Sequence, residues 1–100
     1  MELKGEAKLL RVFFGESDKV RHLSLAEVIV REAKAAGLAG ATVWRGEMGF
    51  GSASRIRTAK ILDLSADLPM VLEITDGEER INAFLPTLDR LFAEASCGGL

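Results

Sequence analysis

The sequence predicts a single α+β domain, and two observations carry that prediction. Segments rich in β-forming residues alternate with segments whose apolar residues recur at helical spacing, in the order strand, helix, strand, strand, helix. The chain has 100 residues, 48% of them hydrophobic and 28% charged, a composition typical of one globular domain and not of a disordered or fibrous chain. We therefore expect residues 1–100 to fold around one core between two packed layers.

The first half of the chain predicts a strand followed by a helix. Lys8 to Phe14 (KLLRVFF) is short, apolar and rich in β-formers. Ser24 stands three residues before Glu27, the spacing of a capping box that satisfies free amides at a helix start. A helix is therefore predicted over Leu25 to Ala36, with Gly37 ending it.

Two further strands are predicted in the middle of the chain. Ala41 to Arg45 carries Thr42, Val43 and Trp44 and forms the second strand. Pro69 to Thr75 alternates apolar and mixed residues and forms the third, with Lys60 to Leu64 as an earlier piece of the same extended pattern. Trp44 is expected to fill the core or an interface. Glu73 lies opposite the apolar face of the third strand, where an interface or solvated carboxylate is expected.

A second helix closes the predicted order. Asp76 is expected to cap it, because Glu79 follows three residues later. The residues with helical spacing are Ile81, Phe84, Leu85, Leu88, Leu91 and Phe92. Pro86 lies inside this stripe and lacks the N–H that would bond Asn82, so a kink is expected there.

This order is most of a ferredoxin-like split βαβ fold (βαββαβ), with the last strand short or missing. In that fold the sheet order is four-one-three-two, so a missing last strand leaves the first strand as an exposed edge. Two explanations remain open: the chain is truncated, or another subunit covers the edge. Both favour an oligomer or an incomplete chain over a finished monomer.

Positive charge is concentrated between Val43 and Lys60. This stretch carries four basic residues and one acidic residue, a balance of plus three, whereas the remaining nine basic and fourteen acidic residues give minus five. It also carries Gly46, Gly49 and Gly51, which permit backbone angles and close approaches that a side chain forbids. Together these features predict a loop that could hold an anion.

The arginines Arg45, Arg55 and Arg57 are the candidate anion ligands. If the loop is extended, Arg55 and Arg57 point the same way, and two guanidinium groups can clamp a phosphate. The plainer alternative is that the glycines shape a tight strand exit, while Arg55 and Arg57 are solvated or form salt bridges to Glu16 and Asp18 of another subunit.

Other classes of site find little support. The single cysteine, Cys97, cannot form an internal disulfide, and the single histidine, His22, has no partner at metal-ligand spacing, so it is expected on the surface. No catalytic constellation can be assembled, and no metal site is predicted. The mild net charge of −2 and few aromatics argue against nucleic acid, and no apolar run is long enough to span a membrane. A cytoplasmic, non-enzymatic protein is expected.

Several stretches resemble one known family. LLRVFFGESDK, GLAGATVWRGEMGFG and SRIRTAKILDLSADLPMVLEITDGEERINAFLP are together similar to the PII-like domain-of-unknown-function 190 family, of the UPF0166 type. Gly49-Phe50-Gly51 is similar to the Gly-Phe-Gly at the base of the long T-loop in classical PII signalling proteins. Leu68-Pro69 and the residues that follow are similar to the strand after that loop.

The resemblance implies a PII-like ferredoxin fold and a homotrimer with ligand clefts between subunits. It also implies that an adenine nucleotide (ATP, ADP or AMP) binds there, at Gly49, Phe50, Gly51, Arg45, Arg55 and Arg57. A ligand would order the basic loop, which a regulated protein partner could then read. The alternative is a structural or interaction trimer of the divalent-cation-tolerance type without a nucleotide.

Overall fold

The computed structural model describes residues 6–50, 57–58 and 67–95. Its elements, in chain order, are β1 (Lys8–Gly15), β2 (Lys19–Val20), β3 (Leu23–Ser24), α1 (Leu25–Ala35), β4 (Ala41–Arg45), β5 (Met48–Gly49), β6 (Arg57–Thr58), β7 (Pro69–Asp76) and α2 (Glu78–Glu94). The predicted piece Lys60 to Leu64 lies outside the described residues.

The main sheet has the strand order β1-β7-β4, and both pairs are antiparallel. Its register sets Val12 and Val43 on either side of Leu72. This is the one-three-two part of the predicted sheet, so the α+β prediction is confirmed and the arrangement is compatible with a ferredoxin-like split βαβ fold. Over the part of the chain that the structure describes, β1 and β4 are the two edges of this sheet.

The helices pack on one face of the sheet. The buried core consists of Val12, Phe14, Val20, Leu25, Ile29, Ala33, Leu72, Ile74, Ile81, Phe84, Leu88 and Leu91. Successive side chains of a strand point to opposite faces, and alternate residues of β1 and β7 enter this core. Neither α1 nor α2 covers the other face, which is open as far as the described residues go. No helix among the described residues is both long and apolar enough to cross a membrane.

The predicted ends of α1 are confirmed to within one residue. Ser24 Oγ accepts a hydrogen bond from Glu27 N at 3.2 Å, the main bond of the predicted cap. The helix ends at Ala35, and Gly37 then has a φ of 78°, a left-handed conformation that glycine adopts without a steric penalty.

The predicted cap of α2 is wrong. Gly77 is the N-cap and makes no side-chain bond, whereas Asp76 is the last residue of β7. The Asp76 carboxylate instead accepts hydrogen bonds from Gly77 N at 2.7 Å and from Ala39 N at 2.8 Å. It therefore fixes the turn into α2 to the turn out of α1. Pro86 lies within α2, which is continuous from Glu78 to Glu94.

A small hairpin between β1 and α1 was not predicted. β2 and β3 pair over two residues each, with Arg21 and His22 at the turn. Arg21 has a φ of 59°, where a side chain is disfavoured. Val20 is buried in the core and Asp18 O accepts from Leu25 N, so both arms of the hairpin are anchored. His22 is exposed, as predicted.

Candidate functional site

The candidate site lies at the end of the sheet where β4 runs into the glycine-rich loop. Gly46 N donates to Pro69 O at 2.7 Å, which continues the β4–β7 pairing one residue past β4. Beyond it β5 pairs with β6, with Met48 opposite Thr58 and Gly49 opposite Arg57. The two arms of the basic loop are therefore joined at their base.

The glycines at this base are required by packing and not by unusual backbone angles. Gly46 and Gly49 do not have positive φ values, so the expectation of special angles is wrong for both. Instead, a Cβ at Gly46 would lie 2.8 Å from Pro69 Cγ, and one at Gly49 would lie 3.1 Å from the same atom. The Pro69 ring packs against both glycines, which is the close approach that the glycines were also predicted to permit.

Arg45 projects from the end of β4 and already has an acidic partner. Its Nη1 donates to Glu16 Oε2 at 2.9 Å; the Arg45 side chain is largely exposed and that of Glu16 is half-buried. The alternative predicted for Glu16 was a salt bridge to Arg55 or Arg57 of another subunit, which stays a prediction, whereas within the chain Glu16 pairs with Arg45. This pairing reduces the positive charge that Arg45 can offer to a ligand.

Two buried carboxylates lie under the same end of the sheet. Gly15 N donates to Asp18 Oδ2 at 3.0 Å and Ser17 N donates to Asp67 Oδ1 at 2.6 Å. A Cβ at Gly15 would lie 2.6 Å from Asp67 Oδ2, so this glycine leaves room for the carboxylate. Asp67 thereby anchors the end of the loop, just before Leu68 and Pro69, to the turn after β1.

Four of the six predicted ligand residues fall at least partly within the described chain. Gly49 forms part of β5, and Phe50 beside it is 70% exposed, so its ring is available for contact. Arg45 is paired as above, and Arg57 is described only through its backbone pairing with Gly49. Gly51 and Arg55 lie outside the described residues. The structure thus joins Gly49 to Arg57.

A polar network on the open face of the sheet was not predicted from the sequence. Glu73 accepts hydrogen bonds from Arg11 Nε at 2.7 Å and from Trp44 Nε1 at 2.8 Å. These bonds, first that from Arg11 and then that from Trp44, hold the pKa of Glu73 below its ordinary value. The residue-by-residue register was the missing signal, because it sets Arg11 of β1 opposite Glu73 and places Trp44 of β4 one pair along on the same face.

The same face carries exposed apolar side chains. Phe13 is 68% exposed and Trp44 is 58% exposed, so of the two predicted places for Trp44 the core is excluded and an interface stays a prediction. With Val71, these rings and the Arg11–Glu73 pair line an open depression of about 380 Å³. Leu9 adds a further exposed apolar side chain on β1.

Metal ligands are not clustered in the described part of the chain. Across residues 6–50, 57–58 and 67–95, no three His, Cys, Asp or Glu side chains are placed to hold a metal ion.

Comparison with known sequences gives consistent matches along the chain. A profile of the family DUF190, described as Uncharacterized ACR, matches residues 7–98. A UPF0166 protein of Aquifex aeolicus is 41% identical over 78 residues, which cover 78% of this chain and 74% of that protein. A UPF0166 protein of Methanocaldococcus jannaschii is 36% identical over 83 residues, which cover 83% of this chain and 76% of that protein. The profile match includes both helices, the sheet and the loop.

Proposed function

This chain belongs to the DUF190 family of UPF0166-type proteins, and on that premise we propose that it is a PII-like, non-enzymatic regulatory protein of the cytoplasm. It binds an adenine nucleotide, or a similar small anion, at the glycine-rich loop after β4. The family is uncharacterised, so the ligand is argued from the loop itself.

The observation that carries this proposal is the paired base of the loop. Gly49 and Arg57 face each other across β5 and β6, so the segment between them begins and ends at one point on the sheet. That segment starts with the exposed ring of Phe50 and includes Arg55. Basic residues and an aromatic residue in one short segment with a paired base support binding of a phosphorylated, planar ligand.

Within this site the arginines have different roles. Arg45 is engaged by Glu16, so the phosphates are held mainly by Arg55 and Arg57, together with the backbone amides near Gly49 and Gly51. The Phe50 ring contacts the adenine. Ordering of the loop by the ligand is the signal that a partner protein reads.

A homotrimer supplies the second side of the ligand cleft. The open face of the sheet supports this assembly, because Leu9, Phe13 and Trp44 remain exposed on it in the single chain. Contiguous exposed apolar residues commonly mark an interface with another protein. The Arg11–Glu73 pair is neutral as a unit, so it does not oppose contact between copies.

Isothermal titration calorimetry with ATP, ADP and AMP tests the nucleotide site. We expect saturable heat with at least one nucleotide, and weaker binding for Arg55→Ala and Arg57→Ala by about tenfold or more, because each removes charge-assisted bonds to phosphate. Arg31→Ala is the matched control, since Arg31 is an exposed arginine of α1 that pairs with Glu27. Absence of heat with all three nucleotides would refute the proposal.

The second candidate function is a structural or interaction trimer without a nucleotide. Gly46 and Gly49 favour this candidate in one respect, because their contact with Pro69 explains both glycines without any ligand. Native mass spectrometry separates the two candidates. A trimer that shows no bound nucleotide, no heat and no release of phosphate from ATP supports the structural candidate, whereas phosphate release would contradict both.

A further inference from the structure

The free edge of β4 differs from the free edge of β1 because a half-open apolar cavity lies beside it. Gly46 N donates to Pro69 O, and bonded and non-bonded pairs alternate along an antiparallel ladder. Thr42 and Trp44 therefore bond β7, whereas the backbone N–H and C=O groups of Ala41 and Val43 point away from the sheet. No strand among residues 6–50, 57–58 and 67–95 pairs with those groups, so within this part of the chain they can pair with an added strand.

The flank of α1 extends this edge into a groove. Ala26, Val30 and Lys34 recur four residues apart and lie on one side of the helix, and the two apolar members are half-buried. Ala41 and Val43 on β4 are also half-buried. Apolar surface is thus exposed along the line that a neighbouring strand would occupy.

A cavity of about 250 Å³ lies at the start of β4 in this groove. It is lined by Val30, Ala33, Lys34, Leu38, Ala39, Gly40 and Ala41. Except for Lys34, these residues are small or aliphatic, so the cavity fits an aliphatic side chain of an added strand.

Charge at the two ends of the groove identifies the occupant's chemistry. Lys34 lies beside the cavity and has no carboxylate within ion-pair distance in the described ranges 6–50, 57–58 and 67–95. Arg45 lies at the other end, where Glu16 takes one of its nitrogens. Lys34 makes one end of the groove basic, and at the other end Arg45 keeps guanidinium N–H groups that Glu16 does not bind in the described residues, which favours an occupant with acidic residues flanking an apolar stretch.

A second copy of β4 fits this groove poorly. Antiparallel pairing centred on Val43 would set Arg45 of each copy opposite Ala41 of the other. That arrangement brings Arg45 of one copy towards Lys34 of the other, and like charges across an interface oppose association.

We propose that the β4 edge and the α1 flank form a docking groove for an extended segment of a different protein, apolar at alternate positions and acidic at both ends. The segment adds to the sheet as a further strand, with main-chain bonds to Ala41 and Val43 and one aliphatic side chain in the cavity. Because β4 leads directly into Gly46 and the loop, docking is adjacent to the proposed nucleotide site but does not require a nucleotide.

Titration with a synthetic peptide Glu-Val-Thr-Val-Thr-Val-Glu tests the groove, with Lys-Val-Thr-Val-Thr-Val-Lys as the matched peptide. We expect the glutamate peptide to bind more tightly and to slow amide hydrogen exchange at Ala41 and Val43. Thr42 and Trp44 should be protected with or without peptide, since their amides bond β7. This alternation is the signature of an added strand. Equal affinity for the two peptides, or no binding, would overturn the proposal.

Two variants and a control complete the experiment. Val43→Pro removes an outward N–H without removing a bond to β7, so we expect binding at least about tenfold weaker in a protein that still folds. Leu9→Pro removes the corresponding outward N–H from the β1 edge and should leave peptide affinity unchanged. Lys34→Glu, on an exposed residue, should reverse the preference between the two peptides.

The same measurements identify the competing occupant. If Ala41 and Val43 are already protected without peptide, and the protection disappears on dilution, a second copy covers the edge and the proposal is wrong. Undiminished peptide binding by both Val43→Pro and Lys34→Glu would also contradict it.

Discussion

Gly46 and Gly49 show how one proline determines which residues are accepted at the base of the loop. Pro69 Cγ lies closer to the position of a Cβ at Gly46 than to one at Gly49, at 2.8 and 3.1 Å. A real Cβ cannot remain at the shorter distance, and the ring of Pro69 cannot rotate away as a flexible chain would. The glycine-rich run is therefore explained first by packing, and any ligand uses a backbone that packing has already exposed.

Gly46→Ala is expected to destabilise the protein more than Gly49→Ala. Overpacking against Pro69 should lower the free energy of unfolding by about 1–3 kcal/mol for Gly46→Ala. Replacing glycine with alanine also reduces the conformational entropy of the unfolded chain, which raises the free energy of unfolding of each variant by about 0.4–1 kcal/mol. Urea unfolding monitored by circular dichroism measures both. Equal stability of the two variants would show that the Pro69 contact is not the reason for the glycines.

The carboxylate of Asp76 makes the free energy of unfolding depend on pH in the acid range. Bonds from Gly77 N and Ala39 N hold its pKa below the ordinary value, and Glu73 has a lowered pKa for the reasons given above. A lowered folded pKa stabilises the protein above the unfolded pKa of about 4. This contribution is lost as the pH falls through the folded pKa.

We expect Asp76→Asn to be less stable than the wild type at neutral pH and to lose less stability on acidification. Gly77 N and Ala39 N bond different oxygens of the carboxylate, so in the amide one of the two N–H groups would face an NH2 group, which is a donor. Thermal unfolding from pH 7 to pH 2 checks this, with Asp89→Asn on the exposed side of α2 as the control. A parallel acid dependence in the wild type and Asp76→Asn would contradict the assigned role.

At the scale of elements, the end of α1 depends on residues of the β7–α2 turn. Arg80 Nη1 donates to Gly37 O at 2.7 Å, and Asp76 accepts from Ala39 N. Two side chains distant in sequence thus satisfy backbone groups where α1 turns into β4. This turn leads directly into β4 and so determines where β4 begins along the sheet. It thereby also positions the proposed docking groove.

Pro86 interrupts the backbone hydrogen bonding of α2, because it lacks the N–H that would bond Asn82 O. Its side chain is exposed, so its packing contribution is small. We expect Pro86→Ala to raise the free energy of unfolding by about 1–3 kcal/mol. Asn82→Ala, at another exposed position of α2, should change it by less than about 0.7 kcal/mol. Urea midpoints measure both, and a loss of stability in Pro86→Ala would indicate that the proline has a contact we have not recognised.

For the whole molecule, the decisive feature is that both helices cover the same face of the sheet. The other face carries the Arg11–Glu73–Trp44 network and exposed apolar residues, which is the surface that the proposed trimer would bury. The apolar side chains of this face are interspersed with the polar groups of the network, which is why the face can be exposed to water in a single chain.

Phe13→Lys tests the trimer at this scale. Because Phe13 is 68% exposed in the single chain, the substitution should leave the fold of each copy intact while three charges oppose association. Sedimentation velocity should change from the mass of three copies to that of one. Leu85→Lys, which changes an exposed apolar residue of α2, is the control and should remain trimeric. A trimer in both variants would exclude the open face as the interface.

The sequence by itself determined the order of the three strands of the main sheet and the two helices, and most of their ends. The Ser24 cap, Gly37 and the alternation along Pro69 to Thr75 are local signals, and local signals are sufficient where a residue interacts with neighbours in the chain. The family was also determined by the sequence, since the matched segments run through almost all of it.

Only the tertiary structure decided which distant residues meet. Asp76 was assigned to a helix cap because its local spacing allowed it, but Ala39 N, 37 residues away in sequence, is one of its partners. The Trp44–Glu73–Arg11 network and the contact of Gly46 with Pro69 depend on the strand register in the same way. The sequence predicted which strands are neighbours but not which of their residues are paired, because the register follows from how the helices and the sheet share one core.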